Sequence, residues 1–180
     1  MPKTESELWD WVVDYNQRTT HDRGLTSHYG YHSILDVDLI AACIAARERF
    51  EPPIRVLDVG CGSGLALNQL ADRVTEASLD QDEFQFWGMG VNRYDEMSIS
   101  DDRFLHGALN AYDFAGMRFH LVFSVFAFHY MWHKLAGAKT VHNQLLTDGG
   151  VAYLHFPGYL VRFGESPDAL SQSETDGNRR

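Results

Sequence analysis

Residues 56–64, V-L-D-V-G-C-G-S-G, constrain the fold of this chain more than any other stretch. Ile54, Val56, Leu57 and Val59 make a nearly unbroken aliphatic run, the pattern of a strand covered on both faces rather than one with a wet side. Glycine then recurs at alternate positions. Gly60, Gly62 and Gly64 lack a Cβ, so the backbone there can reach positive φ and a ligand can approach the main chain closely. Residues 65–70 continue as a helix whose first amides face the same space. A buried strand, a glycine turn and a helix opening onto a ligand are expected.

The rest of the chain repeats that alternation. Thr4 and Glu7 form a T-x-x-E capping box ahead of Leu8, Trp9, Trp11, Val12, Val13 and Tyr15, which predicts an opening helix. After a loop over 19–32, Ile34, Leu35, Val37, Leu39, Ile40, Cys43 and Ile44 form one helical stripe that ends before Pro52 and Pro53. A polar insertion at 75–83 precedes strands at 84–91, 103–106 and 121–125. Residues 132–146 read as a helix, and the Asp148-Gly149-Gly150 turn leads into a fifth strand at 151–156. Such alternation implies right-handed crossovers, a parallel sheet and a ligand crevice at the strand C-termini.

Composition narrows the function. The 180 residues suit one domain, taken as 1–170 with a polar tail at 171–180 expected to be disordered. A formal charge of −10 disfavours nucleic acid, which calls for clustered Lys and Arg. With only Cys43 and Cys61 and no long apolar run, the expectation is a cytoplasmic protein without disulfides or a membrane partner, acting on a small molecule.

The dinucleotide fingerprint G-x-G-x-x-G/A fails when read from Gly60, because its last position falls on Leu65. The order D-x-G-x-G-x-G, with Asp58 two residues before the first glycine, instead resembles motif I of the class I S-adenosylmethionine-dependent methyltransferases. A glycine turn in some other doubly wound nucleotide binder is the competing reading. The resemblance implies a Rossmann-like, doubly wound, mostly parallel sheet and S-adenosylmethionine as cofactor. Asp58, Gly60, Cys61, Gly62 and Gly64 would hold its methionine end.

Three later segments carry the resemblance with departures. Residues 84–94 resemble the second strand, whose terminal acid accepts the ribose hydroxyls in the family; Asn92 stands there, with one neutral carbonyl in place of two charged acceptors, and Asp95 nearby. Residues 104–114 keep Gly107 but place Ala108 where an aspartate usually meets the adenine amino group. Leu109 would cover the adenine face, with Asn110 as a substitute polar contact. Residues 118–130 resemble the fourth strand, with His120 in place of an acid and Ser124 at the strand tip beside the cofactor.

Methyl transfer needs an acceptor placed in line and, where the acceptor is not already basic, a group to take its proton. The T-S-H-Y-G-Y-H loop at 26–32 resembles a segment that folds over the cofactor ahead of motif I, making Tyr29 and Tyr31 candidates to close the site. Tyr29 and His129 are the candidate catalytic residues, His129 because an imidazole titrates near neutrality. Surface packing for the tyrosines and turn capping for the histidine compete with these roles. His129 and His133 share an i, i+4 spacing but lack a third ligand, so no metal site is expected.

Two readings result: S-adenosylmethionine-dependent methyl transfer to a small-molecule acceptor, or a catalytically impaired binding or partner subunit that keeps the fold. Family members usually add two strands after the fifth, and only residues 157–180 follow it here. A sheet short of seven strands is therefore expected, its edge covered by one short strand at 158–163 or by a second protomer in a homodimer.

Overall fold

The computed structural model describes Thr4, Ser6, Glu7, Asp10, Trp11, Asp14, residues 23–77, 79–131 and 133–156, and the backbone of strands at 159–163 and 171–174. The capping box is formed, with the Thr4 amide donating to Glu7 Oε2 at 3.0 Å and the Glu7 amide to Thr4 Oγ1 at 3.2 Å. Leu8, Trp9, Val12, Val13 and Tyr15 lie outside the described residues.

The apolar stripe over 34–44 is divided between two helices, α1 (Tyr31–Leu35) and α2 (Leu39–Arg49). Asp36 ends the first with a left-handed φ of 52°, and Asp38 caps the second by accepting from the Ile40 and Ala41 amides. His32 Nε2 accepts from the Leu39 amide at 3.2 Å, and burial holds its pKa below the usual value. This histidine is thereby a structural acceptor.

Five parallel strands follow: β1 (Ile54–Val59), β2 (Phe84–Gly90), β3 (Phe104–His106), β4 (Phe119–Ser124) and β5 (Leu146–Phe156). They lie in the order β3-β2-β1-β4-β5, so the order reverses between β1 and β4, where such sheets bind ligands. Helix α3 (Leu65–Glu76) follows the glycine turn. Short α4 (Ala127–Tyr130) and α5 (Lys134–Thr140) follow β4. Alternation along β1 divides the core: Ile54 and Val56 pack with Leu39, Cys43, Leu67 and Leu70, whereas Leu57 and Val59 join Phe119, Val122, Phe128 and Leu154 on the opposite face. Helices thus cover both faces of a doubly wound sheet.

Strand β5 starts five residues earlier than its apolar run suggested. Phe119 pairs with Leu146 and Leu121 with Val151, so the Asp148-Gly149-Gly150 turn is looped out within the strand as a bulge. The expected helix over 132–146 is correspondingly shorter, α5 passing into a π-type turn at Val141–Leu145. Gly137 fits inside α5 because a β-carbon there would lie 2.9 Å from Met131 Sδ.

The expected shortage of strands is not found. Strand β6 (Tyr159–Phe163) pairs antiparallel with β5, and β7 (Ser171–Glu174) pairs antiparallel with β6, completing a seven-stranded sheet. The short strand that was to cover β5 is β6. The seventh comes from a polar segment that composition alone assigned to a disordered tail; backbone pairing at an edge requires no apolar side chains, and so leaves no pattern to read.

Candidate functional site

The glycine turn is held from three sides. Gly60, Gly62 and Gly64 take φ of 83°, 60° and 90°, the left-handed region that favours glycine. A β-carbon on Gly60 would lie 2.3 Å from Ala127 Cβ, so the turn abuts α4. The Gly60 and Cys61 amides both donate to the Met89 carbonyl, at 2.7 and 3.1 Å, tying the turn to the end of β2. Gly64 begins α3, its amide donating to the Cys61 carbonyl at 3.0 Å.

Beneath the turn, Asp58 is completely buried. The Tyr31 hydroxyl donates to its Oδ2 at 2.8 Å, while its buried Oδ1 has no described partner. Burial pushes the Asp58 pKa up to about 8, with the Tyr31 hydrogen bond opposing the shift. A buried polar atom left without a partner costs about 1–3 kcal/mol, which adds to the cost of ionising this carboxyl.

Above the turn is a cavity of about 360 Å³. Gly60, Cys61 and Gly62 line one part of it, and Asn92, Ala108 and Leu109, beyond the ends of β2 and β3, line another. Arg23 and Tyr31 border it from the segment leading into α1, and Phe126, Ala127 and Tyr130 from the segment after β4. Of the residues singled out from the sequence, Tyr31, Gly60, Cys61, Gly62, Asn92, Ala108 and Leu109 therefore meet at one opening.

The others lie apart from that lining. Asp58 stands behind Tyr31, and Gly64 packs against Ile99. Ser124 is buried at the end of β4, its hydroxyl donating to the Val59 carbonyl at 2.7 Å, so it joins two strands rather than facing the cavity. Tyr29 is 68% exposed and outside the lining, whereas Tyr31, two residues on and facing inward from α1, is 4% exposed and within it. Asp95 and Asn110 are exposed and likewise outside the lining. His120 Nδ1 accepts from the Arg55 amide at 2.9 Å, one residue before the β1–β4 register begins at Val56 and Leu121, and burial lowers its pKa.

His129 sits at the cavity margin rather than in it. Its ring is 5.0 Å from those of Phe126 and His155, and the Nδ1 atoms of both histidines are buried without a described partner. Burial and Lys134 lower the His129 pKa; burial, His129 and Arg23 bring His155 down to about 4. Both imidazoles are neutral near pH 7. Because α4 ends at Tyr130, His129 and His133 do not share a helix, and no cluster of three metal-ligating side chains occurs among the described residues.

Sequence reasoning missed Arg23, Tyr94, Tyr130 and His155. Tyr94 and Tyr130 follow the tips of β2 and β4, a position that could have marked them. Arg23 and His155 carry no local signal. A larger groove of about 980 Å³ runs between α2 and residues 142–151, away from the glycine turn and the motif residues that line the smaller cavity.

The sequence model of a family described as a methyltransferase domain matches residues 56–150, more than half of the chain. No curated protein matches the chain. Among solved structures, the chain that partners the Trm112 methyltransferase activator of Haloferax volcanii is 23% identical over 82% of this chain and 59% of its own, with a TM-score of 0.49. An amino pentose methyltransferase of calicheamicin biosynthesis from Micromonospora echinaspora, solved with S-adenosylmethionine, is 19% identical over 85% of this chain and 66% of its own, with a TM-score of 0.48. The chain thus spans 59% and 66% of the lengths of these two.

Proposed function

Because the chain belongs to the methyltransferase-domain family, we propose that its cavity binds S-adenosylmethionine and serves methyl transfer to a small-molecule acceptor. The observation that carries this reading is the opening of about 360 Å³ bounded by the glycine turn, Asn92, Ala108 and Leu109. Bound there, the cofactor supplies an electrophilic methyl group on a sulfonium.

Each residue has a role set by its own chemistry. Asp58, completely buried and outside the lining, holds Tyr31 through the hydroxyl hydrogen bond, and Tyr31 with the glycine turn borders the space for the methionine part. The Asn92 amide serves a ribose hydroxyl, and Leu109, flanked by Ala108, supplies an apolar wall for adenine. His129, neutral and at the margin, is placed to hold an acceptor or take its proton, in preference to the exposed Tyr29. Cys43 and Cys61 are buried and not joined in a disulfide, which suits a reducing compartment.

Asn92 and Ala108 favour the second reading, a partner subunit that keeps the fold with a weakened cofactor site, because both lack the carboxylates usual in the family. Calorimetric titration with S-adenosylmethionine, S-adenosylhomocysteine and NAD separates the readings. Binding of the first two but not NAD is expected. Silence with all three supports the partner subunit, and binding of NAD alone supports a nucleotide binder.

A further inference from the structure

On the side of the cavity formed by the ends of β4 and β5, four side chains make one array. The Arg23 guanidinium lies 4.3 Å above the Phe126 ring. Phe126 meets His155 edge to face at 4.8 Å, and His155 packs beside His129 at 5.0 Å. Among the described lining residues Arg23 alone carries a formal charge, although the chain as a whole is acidic. Its Nη1 donates to the Tyr29 carbonyl at 3.2 Å, which fixes one end of a planar five-donor fork.

Phe126, beyond the end of β4, and Arg23 above it line the cavity on the other side of β1 from Asn92, Ala108 and Leu109, the residues assigned to the nucleoside, and so border the space left for the acceptor. A guanidinium held over an aromatic ring keeps free N–H donors for a carboxylate, the anion whose geometry it matches bidentately. Phe126 and Tyr130 add aromatic surface to this wall of the cavity, and His155 backs Phe126 from outside the lining. His155, with its pKa brought down to about 4, is neutral near pH 7 and adds no second positive charge behind Phe126.

We propose that Arg23, Phe126 and Tyr130 form the acceptor subsite, and that it takes a planar aryl or heteroaryl carboxylate whose anionic group pairs with Arg23. The proposal rests on the S-adenosylmethionine reading, which assigns the opposite wall to the cofactor. A carboxylate also belongs to the methionine part of that cofactor, so the test must separate the two.

The probes are benzoate and its neutral isostere benzamide, titrated by calorimetry into protein first saturated with S-adenosylhomocysteine. Benzoate is expected to bind at least about tenfold more tightly than benzamide. Arg23→Gln should abolish that preference while changing S-adenosylhomocysteine affinity less than about twofold, and Arg23→Lys, which keeps the charge but not the fork, should retain only part of it. Equal affinity for the two probes overturns the proposal. So does loss of S-adenosylhomocysteine binding in a folded Arg23→Gln variant, which would assign Arg23 to the cofactor carboxylate. Should the wild-type protein fail to bind S-adenosylhomocysteine, the cofactor reading falls by itself. The benzoate titration on free protein then decides the subsite: binding that depends on Arg23 upholds it, and its absence overturns it.

Discussion

Replacing Gly60 by alanine tests the packing that shapes the cavity. At φ of 83° an alanine pays the left-handed penalty, about 1–2 kcal/mol for an L-residue. Its β-carbon would also fall 2.3 Å from Ala127 Cβ, well inside contact distance, and relieving such an overlap by backbone shifts costs about 1–3 kcal/mol more. The expected loss is therefore about 2–5 kcal/mol for Gly60→Ala. Ala127→Gly removes the opposing methyl at a cost of at most about 1 kcal/mol for glycine in a helical turn. In that background Gly60→Ala should cost only the φ penalty, so the two changes should couple favourably by about 1–3 kcal/mol. Urea unfolding of the two single variants and the double variant measures this directly, with S-adenosylhomocysteine affinity followed in parallel. Additivity to within about 0.5 kcal/mol would show that Gly60 is not held against Ala127, and the account of the turn would fail.

The remaining predictions concern the ligand and pH. Gly62→Val should leave a folded protein that no longer binds S-adenosylhomocysteine, because a β-branched side chain at φ of 60° is strained and projects at the cavity; unchanged affinity would remove the glycine turn from the site. Asn92→Asp should gain about 1–3 kcal/mol in cofactor binding through a charge-assisted ribose contact, and equal or poorer affinity would show a pocket organised around the amide. Stability should peak near about pH 6.5. Below it the native state resists protonating His32, His120, His129 and His155, whose folded pKa values are all lowered, so stability falls as the pH drops. Asp58, raised from 3.8 to about 8, keeps a proton that the unfolded chain has already lost, so its contribution declines throughout that interval. Below about pH 6.5 the four histidines outweigh it, and above that pH the decline shows until the pH passes about 8. In Asp58→Asn the alkaline decline should disappear from melting curves recorded between pH 5 and 9; an unchanged decline would assign it to another group.

How far the sequence could be read depended on whether burial or pairing decided each feature. Strand β1 was legible because both faces are covered, which leaves an aliphatic run, and the turn because glycine answers a backbone requirement. The break between α1 and α2 was hidden: the apolar stripe continues across it, and only Asp36 in a left-handed conformation, with Asp38 as the next cap, divides it. β7 was hidden because edge pairing uses the backbone alone. At the site, Asn92, Ala108 and Leu109 were found through resemblance, since each follows a recognisable strand. Ser124 was misplaced because its position at the strand tip did not reveal that its hydroxyl serves Val59. Tyr29 was preferred to Tyr31 without knowledge of which turn of chain faces inward, and His155 lies inside an ordinary strand pattern that advertises no chemistry.

The central claim is that the smaller cavity at the glycine turn, rather than the larger groove beside α2, binds S-adenosylmethionine. Backbone amide NMR shifts recorded during titration with S-adenosylhomocysteine locate the ligand directly. Saturable shifts are expected at Gly60, Cys61, Gly62, Asn92 and Leu109, with the amides of Thr147, Gly149 and Val151 in the larger groove unmoved. Shifts concentrated at those groove residues, or none at the glycine turn at saturating ligand, would contradict it.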